Sequence, residues 1–135
     1  MKSFTYKAQD LKKYFVPYKW EGNDFTGCDC YGFVELWYKN ELGIVLPSYS
    51  RMVGSFRDVN PDFIDQHKNH KFYEVQKPET HDVVYMKDSF GLPRHVGVFV
   101  AGHIFHCTSN CGTLFQRASS LFDRIISFHR YKYED

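Results

Sequence analysis

Helix-forming sequence in the first half of this 135-residue chain and strand-forming sequence in the second predict an α+β domain. Its helices pack on a mainly antiparallel sheet of five to six strands, and residues 1–135 form a single domain. Three observations carry this. Apolar residues recur at helical spacing from Cys30 to Trp37. After Pro78 the chain turns to β-branched and aromatic runs. Turns short enough to join antiparallel neighbours separate several of those runs.

Residues 8–14 read as a short helix that ends near Pro17. Residues 18–27 are rich in Gly, Asn and Asp and read as a loop. A second helix begins at Cys30, where Asp29 is a suitable N-cap. Phe33, Val34 and Trp37 extend the apolar stripe, and Gly43 ends it. A further short helix is predicted over residues 61–68, with Pro61 at an early position. Strands follow at 82–86, 95–101, 103–108, 113–117 and 124–131.

Composition narrows the function classes. Hydrophobic residues make up 43% and charged residues 24%, ordinary values for a globular protein. The net charge of +1 gives no argument for nucleic acid or an anionic membrane. No apolar run is long enough to insert into a membrane. The N-terminus lacks the pattern of a secretory signal, so the chain is expected to be made in the cytoplasm. Aromatic content is high at 19%, which suits either an aromatic core or a contact surface. Four cysteines are present, with free thiols the default in that compartment.

One thiol is placed for chemistry. Cys30 follows the N-cap Asp29, where unpaired backbone N–H groups and the positive end of the helix dipole favour a thiolate. The same N–H groups can stabilise an oxyanion, and Gly32 permits close approach by a partner or substrate. A buried, inert cysteine is the competing reading. The hairpin around Ala101-Gly102 supplies an imidazole pair. With an even-numbered loop, Val100 opposes His103, Gly97 opposes His106 and His95 opposes Thr108. His95 and His106 then share a face, Gly97 leaves space beside His106, and His103 points to the other face. A three-residue loop would move His106 away. A general base needs a third group to fix its tautomer, and a second imidazole can serve.

Zinc is a rival use of these residues. Cys28, Cys30, His103, His106, Cys107 and Cys111 are candidate ligands, but no Cys-x-x-Cys knuckle occurs, so no metal and no cofactor is assigned. His67 and His70 read as part of a solvated polar face.

Several separated motifs, in order, resemble the NlpC-type cysteine peptidases. Tyr18, Trp20 and Gly22 match a Tyr-x-Trp-x-Gly loop. Gly27-Cys28-Asp29-Cys30-Tyr31-Gly32-Phe33-Val34 matches Gly-x-Asp-Cys-Ser-Gly-Phe-Val, with Tyr31 in place of the Ser. Residues 78–84 are similar to a Pro-Gly-Asp-Leu-Val strand with a few extra residues. His95-Val96-Gly97-Val98 matches His-Val-Gly-Ile/Val, Phe105-His106-Cys107 is similar to an Ile-His-Ala segment, and residues 125–131 resemble the terminal strand.

The resemblance implies a papain-like core and hydrolysis of peptidoglycan stem peptides at the D-γ-glutamyl to diamino-acid bond. It makes Cys30 the nucleophile, His95 the base and His106 the group that orients His95. Tyr18, Asp29 and Tyr31 fall at the substrate end of the cleft. Asp29 has two open roles, helix cap or partner of a stem-peptide amine. Members of this bare length resemble those carried by bacteriophage tail tips, which implies tail-tip or hub partners and delivery to the wall by the particle. A catalytically silent tail component, its cleft closed by Tyr31, and a thiol-dependent acyltransferase or amidase are the alternatives.

Overall fold

The computed structural model describes residues 6–47 and 72–133. A first helix, α1 (Ala8–Leu11), tightens into a 3-10 turn (Lys12–Tyr14) and buries Leu11 and Tyr14 before Pro17 ends it. The segment read as a loop holds a two-stranded ribbon, β1 (Asn23–Asp24) with β2 (Gly27–Cys28). Its turn is held by Asp24 Oδ1, which accepts the Thr26 N–H at 2.9 Å.

Helix α2 (Cys30–Trp37) is buried on every side, because the ribbon covers the face that the sheet leaves open. It runs into a π-turn (Tyr38–Leu42) that Gly43 closes at φ 69°, a left-handed conformation that glycine adopts without a Cβ clash. The predicted helix over residues 61–68, with His67 and His70, lies outside the described residues.

Strands β3 (Phe72–Val75), β4 (Val83–Met86), β5 (His95–Val100), β6 (His103–Thr108), β7 (Gly112–Arg117) and β8 (Ile125–Tyr131) form one antiparallel sheet. Their order is β3-β8-β4-β5-β6-β7. The α+β class and the mainly antiparallel sheet are therefore as the sequence predicts. Strand β3 is an addition. Four residues on a sheet edge, with Phe72 the one fully buried, carry too little alternation to announce a strand. The 3-10 segment Ala118–Arg124 between β7 and β8 is likewise new.

The hairpin between β5 and β6 turns on two residues with positive φ, Ala101 (48°) and Gly102 (80°). The loop is thus even, and its register pairs Val100 with His103 and Val98 with Phe105. Val96, Val98, Val100, Phe105 and Cys107 face α2 in the main core. That core is where much of the aromatic content goes. Trp37 packs 4.8 Å from Tyr14, and Phe33 packs 4.9 Å from Phe105, measured between ring centroids. Each such ring contributes roughly 1.5–3 kcal/mol by burial. Val84, Met86, Ile104 and Leu121 form a smaller cluster on the other face. No helix of the described residues is long and apolar enough to cross a membrane.

Candidate active site

The thiol end of the site is built from the loop that carries Gly22, the first turn of α2 with Gly32, and one carboxylate. Asp29 is fully buried; its Oδ1 accepts the Gly32 N–H at 2.6 Å and its Oδ2 accepts the Glu21 N–H at 3.1 Å. It caps α2 and ties the preceding loop to the helix. The backbone repeats the tie, with the Asp29 N–H donating to the Gly22 carbonyl at 3.1 Å. That carbonyl lies so close to the first turn of α2 that a Cβ on Gly32 would sit 1.7 Å from it. The space that Gly32 leaves is therefore filled by the chain's own Gly22, which corrects the expectation of room for a substrate there.

Cys30 occupies the first position of α2 and is 1% exposed. Tyr31 turns into the core, and its hydroxyl donates to the Pro47 carbonyl at 2.6 Å. Tyr18 is half-buried at the edge of the same core, bridged through its backbone to Cys28.

The imidazole end stands on the sheet. His95 opens β5, and its Nε2 lies 2.8 Å from Nδ1 of His106 on β6. Gly97 makes this possible, since a Cβ there would come within 2.9 Å of the His106 Cβ. His106 Nε2 in turn lies 2.7 Å from Oε1 of Gln116 on β7. Gln116 has no role in the sequence reading. Its signal was present in the second hairpin, whose register sets Gln116 opposite Ile104 and so on the face of His106.

The chain of contacts assigns a tautomer. With Gln116 Oε1 accepting, the proton of His106 is on Nε2 and its Nδ1 is an acceptor. His95 must then donate from Nε2, which leaves the lone pair on its Nδ1. Burial first, then His106 and Arg124, push His95 well below the ordinary imidazole value. Burial pushes His106 down as well, against the hydrogen bond of Gln116 and with Arg124 adding to the fall. Both rings are neutral near pH 7.

The structure brings His95 and His106 together. It also seats α2, with Cys30 at its start, on β5 and β6. His103, Cys28 and Cys107 are engaged elsewhere. His103 stacks on Phe115, 4.4 Å between centroids, on the opposite face of the sheet. Cys28 and Cys107 are buried, the Cys107 thiol donating to the Cys28 carbonyl at 3.1 Å. Burial pushes both thiols up, Cys107 to about 11. Cys111 is exposed.

The family model of the NlpC/P60 family matches residues 15–122. No curated protein sequence matches the chain significantly. Among solved structures, the chain is similar to the NlpC/P60 domain of the peptidoglycan hydrolase SagA, with 18% identity and a TM-score of 0.60 over 87% of this chain and 89% of that one. It is similar to a lipoprotein-like NLP/P60 protein of Staphylococcus aureus, with 20% identity and a TM-score of 0.61 over 92% of this chain. A Bacillus cereus NlpC/P60 protein follows at 24% identity and 0.59 over 85%. The chain spans 39% and 35% of the length of those last two. The matched span takes in the capped helix start, the imidazole pair and the strands β4 to β7, and the chain belongs to the NlpC/P60 family.

Proposed function

We propose that the chain is a cysteine endopeptidase that hydrolyses an amide of peptidoglycan stem peptides, the D-γ-glutamyl to diamino-acid bond. The observation that carries this reading is the directed chain from Gln116 through His106 to His95, which aims one basic lone pair away from the relay.

In this mechanism His95 Nδ1 takes the proton of the Cys30 thiol as the sulfur attacks the amide carbonyl. The Cys30 backbone N–H, at the start of α2, stabilises the oxyanion. The imidazolium so formed keeps its Nε2–H on His106 Nδ1, a hydrogen bond that strengthens as the charge appears. His95 then gives its Nδ1 proton to the leaving amine, the C–N bond breaks and a thioester remains. Water, deprotonated by the same nitrogen, releases the acid and restores the thiol. A neutral resting imidazole suits this sequence, because it begins as a proton acceptor.

Asp29 serves as the cap of the nucleophile helix, with Tyr18 at the cleft. Tyr31 packs inward, its hydroxyl donating to the Pro47 carbonyl. Delivery at a bacteriophage tail tip belongs to the same proposal and rests on the sequence resemblance. Digestion of purified wall sacculi, with Cys30→Ala as control, tests the reading. New free amino and carboxyl ends at one stem-peptide bond, lost in the variant, are the expected result; intact sacculi with the wild-type protein would overturn it.

A further inference from the structure

A cavity of about 210 Å³ opens beside the imidazole pair, with His95 as one wall and Asp88, Phe90, Thr108, Leu114 and Arg124 among the others. It is smaller than the roughly 300–1,000 Å³ pockets that enclose whole drug-sized ligands. Its size fits one residue of a longer chain.

The charge in this cavity is not balanced. Asp88 is fully engaged by the protein: its Oδ1 accepts the N–H groups of Phe90 at 2.8 Å and Leu92 at 3.0 Å, and its Oδ2 pairs with Arg94. Arg124 ends the 3-10 segment, and its Nε–H donates to the Lys87 carbonyl at 3.2 Å. That single bond fixes the plane of the guanidinium. Its terminal nitrogens have no carboxylate partner among the described residues. Arg124 is also near enough to bear on both His95 and His106. A fixed, unneutralised guanidinium offers two parallel N–H donors, the geometry that a carboxylate fills best.

Resting on the peptidase reading above, we propose that this cavity seats the leaving residue and that Arg124 binds a carboxylate carried by that residue. The direction follows from the chemistry of His95. The nitrogen that His95 protonates belongs to the leaving amine, so the residue attached to that amine must occupy space against the His95 ring. The cavity is such a space, and Arg124 is the cation within it. The enzyme is thus selective for a carboxylate on the amine side of the scissile bond.

The test uses two γ-D-glutamyl peptides that differ at one group, with the leaving residue bearing a carboxylate in one and the corresponding carboxamide in the other. Hydrolysis by the full chain is compared with that by Arg124→Gln and Arg124→Lys. The wild-type protein is expected to favour the carboxylate by about 10- to 100-fold in kcat/KM, the range of a charged hydrogen bond. Arg124→Gln should erase that preference by slowing the carboxylate substrate alone, and Arg124→Lys should keep part of it. Equal wild-type rates on the two peptides overturn the assignment even if Arg124→Gln does not fold. A preference unmoved in a folded Arg124→Gln overturns it too. Hydrolysis of neither peptide by the wild-type protein overturns the peptidase reading, and this assignment with it.

Discussion

His95 Nε2 and His106 Nδ1 share one hydrogen bond at 2.8 Å, so at most one proton lies between two rings that are both withdrawn from water. Two imidazolium rings cannot face each other at that distance, since each would present a donor. Much of the site's behaviour follows from this constraint.

Replacing His106 with Ala removes the acceptor that fixes the tautomer of His95. We expect kcat to fall by about 10²-fold or more, with KM little changed, because the lost interaction strengthens only as His95 becomes charged. Steady-state kinetics on a stem-peptide substrate checks the split. A rise in KM alone would mean that His106 only shapes the cleft.

Gln116 acts one step further out. Gln116→Leu should lower kcat less than His106→Ala does, by about 10-fold. Gln116→Glu places a carboxylate on His106 and should raise the acid limb of the pH–rate profile. A structural role would leave that limb in place.

Acid should unfold this protein through the same pair. Both imidazoles are held below their unfolded value, so the unfolded chain binds protons that the native one does not. The stability they contribute is complete above about pH 6.5 and is lost as pH falls toward their depressed native values. Denaturant midpoints measured from pH 7.5 to pH 4.5 should fall, and a His95→Gln, His106→Gln double variant should show a shallower fall.

Gly32→Ala tests the join between loop and helix. The added methyl would overlap the Gly22 carbonyl, which itself accepts the Asp29 N–H, so neither side can yield cheaply. Destabilisation of about 3 kcal/mol or more is expected from a urea titration. Gly43→Ala meets no neighbour, and only its φ of 69° opposes it, so its cost should be about 1 kcal/mol.

Much of this was legible in the sequence, for local reasons. Asp29 before Cys30 announced a capped helix, and an Ala-Gly turn of two residues fixed the parity that sets His95 beside His106. What the sequence did not reveal depends on neighbours distant along the chain. Gly32 reads as open space until Gly22 is folded over it, and Tyr31 reads as a cleft residue until Pro47 accepts its hydroxyl. Gln116 and Arg124 carry no motif; the register of β6 with β7 and the end of a 3-10 segment bring them to the imidazoles. Cys111, which the sequence offered only as a candidate zinc ligand, lines the cavity beside His95 and is exposed, so thiol chemistry on Cys30 is best read in a Cys111→Ser background.

The proposed pairing of Cys30 with His95 is tested most directly by trapping the nucleophile. In that background, a γ-D-glutamyl peptide ending in a chloromethyl ketone in place of the scissile amide should alkylate one cysteine. Peptide mapping should place the adduct on Cys30, and His95→Gln should slow its formation by about 10²-fold or more. An adduct on Cys28 or Cys107, or a rate that His95→Gln leaves unchanged, would contradict the account.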